Sequence, residues 1–236
     1  MGRYLAALCR EYGFTPVAGI DVKTEEQSGF PLYSSYALCR EKADLLIDFS
    51  HAAHLPQTLS YAQAQHIPLI IGTTGLESAH EEMINAAAQV LPILQSANFS
   101  PSVQVLQTLC RTAAALLPDF DIEIIDRHHA QKADAPGGTA LMLYNAVANA
   151  AHHPIHSRHT ALRKRDKHEI GIHSLRGGTL CGAHEVGFYG PGEHLLLIHT
   201  AEDRSIFARG ALQCGKWLIH QPPGRYTMDD CIKKRE

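Results

Sequence analysis

The chain has 236 residues, of which 45% are hydrophobic and 19% are charged, proportions typical of a globular protein large enough for two domains. Its formal net charge of −3 gives no general attraction to nucleic acid. Its apolar runs are too short to cross a bilayer and it opens on no charged-then-apolar signal pattern, so we expect a cytoplasmic protein with neither nucleic acid nor membrane as a partner.

Helical and strand patterns alternate over the first hundred residues. Helices are predicted at 3–12, 36–41, 55–65 and 78–89, and strands at 16–21, 45–49, 68–71 and 92–95. Strands that alternate with helices in this way favour a parallel, doubly wound sheet. The first part of the chain is therefore predicted to be α/β, with a Rossmann-like fold.

Two polar residues near the end of the first predicted strand suit a dinucleotide. Asp21 lies where dinucleotide folds place a carboxylate against the ribose hydroxyls. Lys23, two residues later, could meet a 2′-phosphate. We therefore expect a cofactor that is NADPH or NADH.

From about residue 122 the pattern changes. Strands are predicted at 122–125, 169–174, 178–184, 185–189 and 194–200, and helices at 141–151 and 205–218. A region in which strands dominate after an alternating region indicates a second, α+β domain.

Most of the candidate catalytic and substrate-binding residues lie between the strand at 122–125 and the helix at 141–151. His128, His129 and Lys132 offer proton donors just after the strand. The Pro-Gly-Gly-Thr turn that follows leads into the helix, so the N–H groups of Gly138 and Thr139, with the Thr139 hydroxyl, form an anion site. The segment is therefore predicted to hold an acidic substrate beside proton donors.

Cysteine and histidine spacing gives no metal site. The six cysteines lack C-x-x-C spacing and lie mostly in apolar stretches, which predicts reduced core thiols. Histidine pairs such as His51 and His54 have no acidic or thiol partner at ligand spacing. The basic run at 158–167 is interpreted as a solvated loop or as a rim that attracts a dicarboxylate, and the two are compatible.

The run from Asp126 to Ala140 resembles the signature of the 4-hydroxy-tetrahydrodipicolinate reductase (dihydrodipicolinate reductase) family, E-x-H-H-x-x-K-x-D-A-P-S-G-T-A. Further matches are at 48–50, 72–75, 97–100, 176–179, Gly182, His184, Arg204 and 207–211. The resemblance implies reduction by NAD(P)H of 4-hydroxy-tetrahydrodipicolinate, a cyclic imine dicarboxylate, to tetrahydrodipicolinate in the diaminopimelate route to lysine. It also implies a homotetramer formed through the sheets of the second domain.

The resemblance also implies roles for individual residues. His128 and Lys132 would be the catalytic proton-donating pair, with Lys132 the direct donor. His129, Gly138 and Thr139 would bind the substrate carboxylates. Cofactor contacts would come from Gly72, Thr73, Thr74, Ala97, Asn98, Phe99 and Arg204. Phe99 has an equally weighted interpretation as hinge packing.

The implied domains are residues 1–101 with 205–236, which bind the dinucleotide, and residues 102–204, which bind substrate and form the tetramer. Family members begin with a strand and a G-x-x-G-x-M-G loop, and Met1-Gly2 aligns with the last Met-Gly of that loop. We therefore expect a first strand to be missing because the start codon was placed at an internal methionine. The alternative is a genuinely shortened, cofactor-impaired protein.

Smaller departures from the family pattern are Gly137 in place of serine and Ala183 in place of an acidic residue. Two other functions stay open at this point: another Rossmann oxidoreductase acting on an amino acid or imine, and a non-catalytic remnant. The combination of His-His-x-x-Lys with Asp-Ala-Pro-x-Gly-Thr argues against the first of these.

Overall fold

The structure, a computed structural model, describes residues 1–22, 29–151, 155–157, 164–167 and 169–233. The chain divides into two compact units, one formed by residues 1–100 and 204–236 and the other by residues 101–203. None of the described helices combines the length and the apolar composition that a membrane span requires.

The helices and strands are numbered in chain order. The helices are α1 (Gly2–Leu8), α2 (Leu55–Gln65), α3 (Ser78–Ala87), α4 (Pro101–Leu116), α5 (Gly138–Ala151), α6 (Ser205–Leu218) and α7 (Met228–Lys233). The strands are β1 (Gly19–Ile20), β2 (Leu32–Tyr33), β3 (Leu46–Asp48), β4 (Leu69–Ile71), β5 (Pro92–Gln95), β6 (Asp121–His128), β7 (Ile155–Ser157), β8 (Glu169–Arg176), β9 (Gly182–Gly190), β10 (Glu193–Ala201) and β11 (Gly224–Tyr226).

The first unit contains a four-stranded parallel sheet of order β11-β5-β4-β3. Leu69, Ile70 and Ile71 of β4 are all fully buried, as expected for a parallel strand covered on both faces. Leu69 and Ile71 pack with residues of α2 and α3, whereas Ile70 packs with residues of α6 and α7. The three layers confirm the predicted α/β fold.

The predicted strand at 16–21 is shorter than expected. It is reduced to β1, which pairs in parallel with β2 in a separate two-stranded sheet. The predicted helix at 3–12 is α1 followed by a 3-10 helix, Cys9–Tyr12, which ends at Gly13 in a left-handed conformation with φ 80°. Positive φ favours glycine, which explains where this segment stops.

The second unit contains a five-stranded mixed sheet of order β10-β9-β6-β8-β7. Strand β6 pairs with β8 in parallel and with β9 in antiparallel orientation. Helices α4 and α5 share one apolar cluster with Ile122 and Ile124 of β6 and Val186 of β9, so both helices cover the same face of the sheet. The strands predicted separately at 178–184 and 185–189 are the single strand β9, because no turn residue separates His184 from Glu185.

Candidate active site

Strand β6 supplies two polar side chains on the face that packs under α5. Successive residues of a strand point to opposite faces, so the buried Ile122 and Ile124 are followed on the same face by Asp126 and His128. The core side of the strand therefore changes from apolar to polar at its carboxyl end. This is the end that leads toward the N-terminus of α5.

Asp126 is fully buried and is the centre of a polar cluster. Its Oδ1 lies 2.7 Å from Nδ1 of His128 and 3.5 Å from Nε2 of His184. Its Oδ2 accepts a hydrogen bond of 2.8 Å from the backbone N–H of Gly137 and one of 2.9 Å from the Arg176 guanidinium. The strand register accounts for part of this cluster, because Asp126 lies opposite His184 in β9.

These contacts decide the charge of the carboxyl group. Burial alone would raise the pKa of Asp126, but hydrogen bonds from His128, His184, the Gly137 N–H and Arg176 together hold that pKa well below its ordinary range. Asp126 is therefore a carboxylate at neutral pH. Asp126 was not among the site residues predicted from the sequence. The alternation of buried residues along β6 is the signal that places it on the core face.

Lys132 lies beside the same turn. Its Nζ is 2.6 Å from Oδ1 of Asp134. A side chain at Gly137 would place its Cβ 3.1 Å from Cε of Lys132 and 3.3 Å from Oδ2 of Asp126. The structure therefore brings Lys132 and Asp126 to one turn, together with His128 through its contact with Asp126. Burial raises and the Lys132 contact lowers the pKa of Asp134, with a net lowering.

Helix α5 begins at Gly138, three residues before its predicted start. The amides of Gly138 and Thr139 are therefore in its first turn, where backbone N–H groups lack partners within the helix and the helix dipole favours an anion. Both residues are half-buried, as is His129, whose carbonyl accepts a bond of 3.2 Å from the Lys132 N–H. That this turn binds an anion stays a prediction.

Predicted cofactor residues follow neighbouring parallel strands of the first unit. The Gly72 N–H donates to the Asp48 carbonyl over 2.7 Å, and the Thr73 hydroxyl donates to Oδ2 of Asp48 over 3.2 Å. A Cβ at Gly72 would lie 2.3 Å from the Phe49 ring, so only glycine fits there. Thr74 is exposed at the same carboxyl edge. Asp48, which sequence analysis left without a role, fixes this loop.

The next strand end, after β5, is also ordered by hydrogen bonds. Ser96 donates from Oγ to the Asn98 carbonyl over 2.7 Å, and the Ser100 N–H donates to Oδ1 of Asn98 over 2.8 Å. Ala97 is exposed, whereas Phe99 is buried and packs edge-to-face on Phe49 with ring centroids 5.5 Å apart. Phe99 therefore packs on Phe49, and its contact with the cofactor stays a prediction.

Three further cofactor predictions are placed differently. Asp21 and Arg204 are exposed, and both lie near the Met1 amino group, whose pKa is lowered by burial and by Arg204 and is partly restored by Asp21. They therefore share one region of the first unit. Lys23 lies outside the described residues.

Of the basic run at 158–167, residues 158–163 also lie outside the described residues. Arg165 of that run forms ion pairs with Asp121, at 3.1 Å, and with Glu123.

The loops after β3, β4 and β5 fit a dinucleotide. They share the carboxyl edge of one parallel sheet, which is where such ligands bind in open α/β folds. Gly75 has φ 74° and no atom near its Cβ position, so the backbone there is open to close approach. Exposed Thr74 and Ala97 border the same edge.

Asp126, His128 and His184 also have the donor atoms of a metal site. Their ligand atoms lie within 4.8 Å of one another. The Arg176 guanidinium already places a positive charge 2.9 Å from the same carboxylate, and a second cation would be repelled by it. The donor set fits a charge-balanced polar cluster better than a metal centre.

The fold and the site define a class of protein: an oxidoreductase with a Rossmann-type sheet and a second unit that groups Asp126, His128 and Lys132 beside a helix N-terminus. Family models described as the N-terminus and the C-terminus of dihydrodipicolinate reductase match residues 1–99 and 102–232. The chain belongs to the dihydrodipicolinate reductase family, which confirms the resemblance found in the sequence. Membership implies a pyridine nucleotide cofactor.

Individual relatives agree with this assignment. The 4-hydroxy-tetrahydrodipicolinate reductase of Caldanaerobacter subterraneus subsp. tengcongensis is 42% identical, over 99% of this chain and 94% of its own length. That of Clostridium novyi is 36% identical, over 100% of this chain and 95% of its own length.

Solved structures show the same fold. A dipicolinate-bound dihydrodipicolinate reductase from Paenisporosarcina sp. TG-14 has a TM-score of 0.77 at 21% identity, covering 96% of this chain and 92% of that chain. An amine dehydrogenase from Mycobacterium smegmatis has a TM-score of 0.57 at 12% identity, covering 97% and 92%.

Proposed function

We propose that this chain catalyses the reduction of 4-hydroxy-tetrahydrodipicolinate to tetrahydrodipicolinate by NADPH or NADH, a step of diaminopimelate and lysine biosynthesis. The observation that carries the proposal is the cluster around Asp126, which sets His128 and Lys132 beside the N-terminus of α5. Relatives that align over nearly the whole chain are named for this reaction.

The reaction consumes one hydride and one proton and releases one water. The nicotinamide, when bound, supplies the hydride. The protein supplies the proton, and we assign it to His128 and Lys132, with Lys132 donating directly to the carbanion or enamine of the substrate. Oδ1 of Asp134 lies 2.6 Å from Nζ of Lys132, so this carboxylate orients the donor.

The substrate is a dicarboxylate, and the anion site fits it. The Gly138 and Thr139 amides with the Thr139 hydroxyl would donate hydrogen bonds to one substrate carboxylate at the N-terminus of α5. His129 would contact the other. Hydrogen bonds to a charged group are stronger than neutral ones, so this site would hold the ring in a single orientation.

The cofactor would be held by the first unit. Gly72, Thr73 and Thr74 with Ala97, Asn98 and Phe99 would contact the nicotinamide half. Asp21 and Lys23 would contact the adenosine half, and Arg204 would contact the cofactor as well. A carboxylate at Asp21 suits ribose hydroxyls and an ammonium at Lys23 suits a 2′-phosphate, so we propose that both NADH and NADPH are used.

We further propose that the first unit, with its return segment, is the dinucleotide-binding domain and that the second is the substrate-binding and tetramerisation domain. The sheet of the second unit supports this, because α4 and α5 cover only one of its faces. None of the six cysteines, all of which lie among the described residues, forms a disulfide, which fits the reducing cytoplasm that we propose as its compartment.

The function is tested by following the absorbance of NADH or NADPH with purified protein and freshly prepared substrate. We expect oxidation that depends on both reactants and forms tetrahydrodipicolinate. Amino acids and simple imines serve as competing substrates, and preferred turnover of one of them would assign a different reaction. No turnover of any substrate, with cofactor bound, would refute the enzymatic proposal.

A further inference from the structure

Asp126 contacts parts of the site that come from different segments of the chain. His128 comes from β6 itself, Arg176 from β8 and His184 from β9, and Gly137 belongs to the turn before α5. A buried carboxylate is costly unless its oxygens are paired, and breaking such a pairing destabilises the groups left behind. This carboxylate is the point at which these four segments meet.

One oxygen of the carboxylate faces a proposed proton donor. Oδ1 of Asp126 lies 2.7 Å from Nδ1 of His128, so the carboxylate contacts that ring nitrogen and not Nε2. The ring also occupies the space beside Gly182, where a Cβ would lie 2.9 Å from Nε2. The imidazole is thus confined from two sides.

The other oxygen reaches the second donor and the anion site. Oδ2 accepts from the Gly137 N–H, one residue before α5 begins. Oδ2 also accepts a hydrogen bond from Nη2 of Arg176. The same Nη2 donates over 2.6 Å to the backbone carbonyl of Asp134. Asp134 in turn holds Lys132. The carboxylate therefore connects to both proton donors and to the carboxylate-binding helix end.

We propose that Asp126 is a positioning residue that holds His128, Lys132 and the N-terminus of α5 in one geometry for the reaction. The proposal rests on the proposed function. It assigns Asp126 no contact with substrate or cofactor. Misplacing reacting groups by about 1 Å costs on the order of 10²-fold in rate, so the loss of this carboxylate should be seen mainly in turnover and in dicarboxylate binding.

The neighbouring strand positions offer a matched control. Arg127 points to the opposite face of the sheet and forms an ion pair of 2.9 Å with Glu185 of β9. Glu185→Gln replaces a carboxylate by an amide, as Asp126→Asn does, on the adjacent strand of the same sheet. It leaves the face of the sheet that carries the site unchanged.

The test compares wild type, Asp126→Asn and Glu185→Gln by three measurements: kcat per cofactor-binding site, the Kd of NADPH, and the Kd of pyridine-2,6-dicarboxylate by calorimetry. For Asp126→Asn we expect kcat per site to fall by about 10²-fold and pyridine-2,6-dicarboxylate binding to weaken, with the Kd of NADPH unchanged. Counting only cofactor-binding sites removes misfolded protein from kcat. Because Glu185 lies on the open face of the sheet, its variant is compared with wild type at a protein concentration at which size exclusion gives both the same mass, and there it should match wild type in all three.

Asp126→Asn with the kcat and dicarboxylate affinity of wild type would overturn the proposal, as would an equal loss in Glu185→Gln. If Asp126→Asn does not fold, Arg176→Gln removes a partner of the carboxylate and leaves the carboxylate itself. It should lower kcat per site in the same direction, and an unchanged kcat would again overturn the proposal. An inactive wild type would refute the proposed function instead, so the two failures are distinguishable.

Discussion

Lys132 is the residue on which the proposed proton transfer depends most directly. We expect Lys132→Ala to lower kcat by ~10²–10⁴-fold, the range for loss of a general acid, while the Kd of NADPH stays close to that of wild type. Steady-state kinetics and cofactor titration measure the two quantities. Lys216→Ala, at an exposed position of α6, controls for the loss of a lysine. A near-normal rate in Lys132→Ala would remove Lys132 from the mechanism.

Thr139 would supply the side-chain part of the proposed anion site. Pyridine-2,6-dicarboxylate should inhibit competitively with substrate, and Thr139→Val should weaken this inhibition by ~10- to 150-fold, because one hydrogen bond to a charged group is worth ~1.5–3 kcal/mol. Thr139→Ser keeps the hydroxyl and should retain most of the affinity. Inhibition constants for the three proteins decide the matter, and equal inhibition of the valine variant would contradict this placement.

Asp126 also links stability to pH. Its pKa is lowered in the folded state, so the unfolded chain takes up a proton first as the pH falls, and the stabilisation present at neutral pH is lost below the ordinary Asp value of about 3.9. Urea unfolding of wild type and Asp126→Asn should therefore show a difference at pH 7 that narrows toward pH 3. A difference that does not vary with pH would show that the carboxylate charge is not the cause.

At the scale of single residues, the sequence displays the candidate proton donors more directly than the carboxylate that contacts them. His128 and Lys132 stand in a dense motif that the sequence displays directly. Asp126 begins the same motif, but its importance depends on burial and on partners in β8 and β9, which only pairing of the strands reveals. The physical signal for such a group is a polar residue at a position where the alternation of a strand predicts a buried side chain.

At the scale of elements, helix α6 approaches the cofactor-side segment at a glycine. A Cβ at Gly210 would lie 1.7 Å from the backbone carbonyl oxygen of Phe99, whereas one at Gly215 would meet the end of the flexible Leu45 side chain at 2.4 Å. Alanine stabilises a helix by about 1 kcal/mol relative to glycine, at both positions. The difference in stability between Gly210→Ala and Gly215→Ala therefore isolates the backbone clash.

We expect Gly210→Ala to lower the free energy of unfolding by ~1–3 kcal/mol more than Gly215→Ala, a typical cost of overpacking. It should also weaken NADPH binding, because Phe99 belongs to the proposed nicotinamide contact. Urea unfolding and fluorescence titration give the two values. If Gly210→Ala is as stable as Gly215→Ala, α6 does not need this close approach.

Helices α2 and α6 of the first unit match their predicted bounds. Helix α7 was not predicted, and the helix predicted at 36–41 is a 3-10 helix, Tyr36–Leu38. Helix α4 was missed, although Pro101 at its start and the three- or four-residue spacing of Val103, Leu106 and Cys110 were available signals. Short elements were missed for a different reason. Strands β2, β7 and β11 have two or three residues, so pairing partners rather than local sequence define them.

At the scale of the whole molecule, the sheet of the second unit has one face without a helix among the described residues. Strand alternation and register place Ile125, Leu175, Leu196 and Ile198 on that face. Ile198 is 57% exposed and Leu175 is 49% exposed. The same face carries the Arg127–Glu185 ion pair and the Glu123 side chain. An open sheet face that combines exposed apolar side chains with ion pairs suits sheet-to-sheet association, which is why we propose that the homotetramer forms there.

Ile198→Glu tests that assembly. A charge placed on the open face would have to be buried unpaired in a sheet-to-sheet interface, so light scattering after size exclusion should show wild type at about four times the chain mass of 25.9 kDa and the variant at a smaller mass. Leu116→Glu changes a residue that is 74% exposed at the end of α4 and should leave the tetramer intact. A monomeric wild type would refute the tetramer. An Ile198→Glu protein that stays tetrameric would place the interface on another surface.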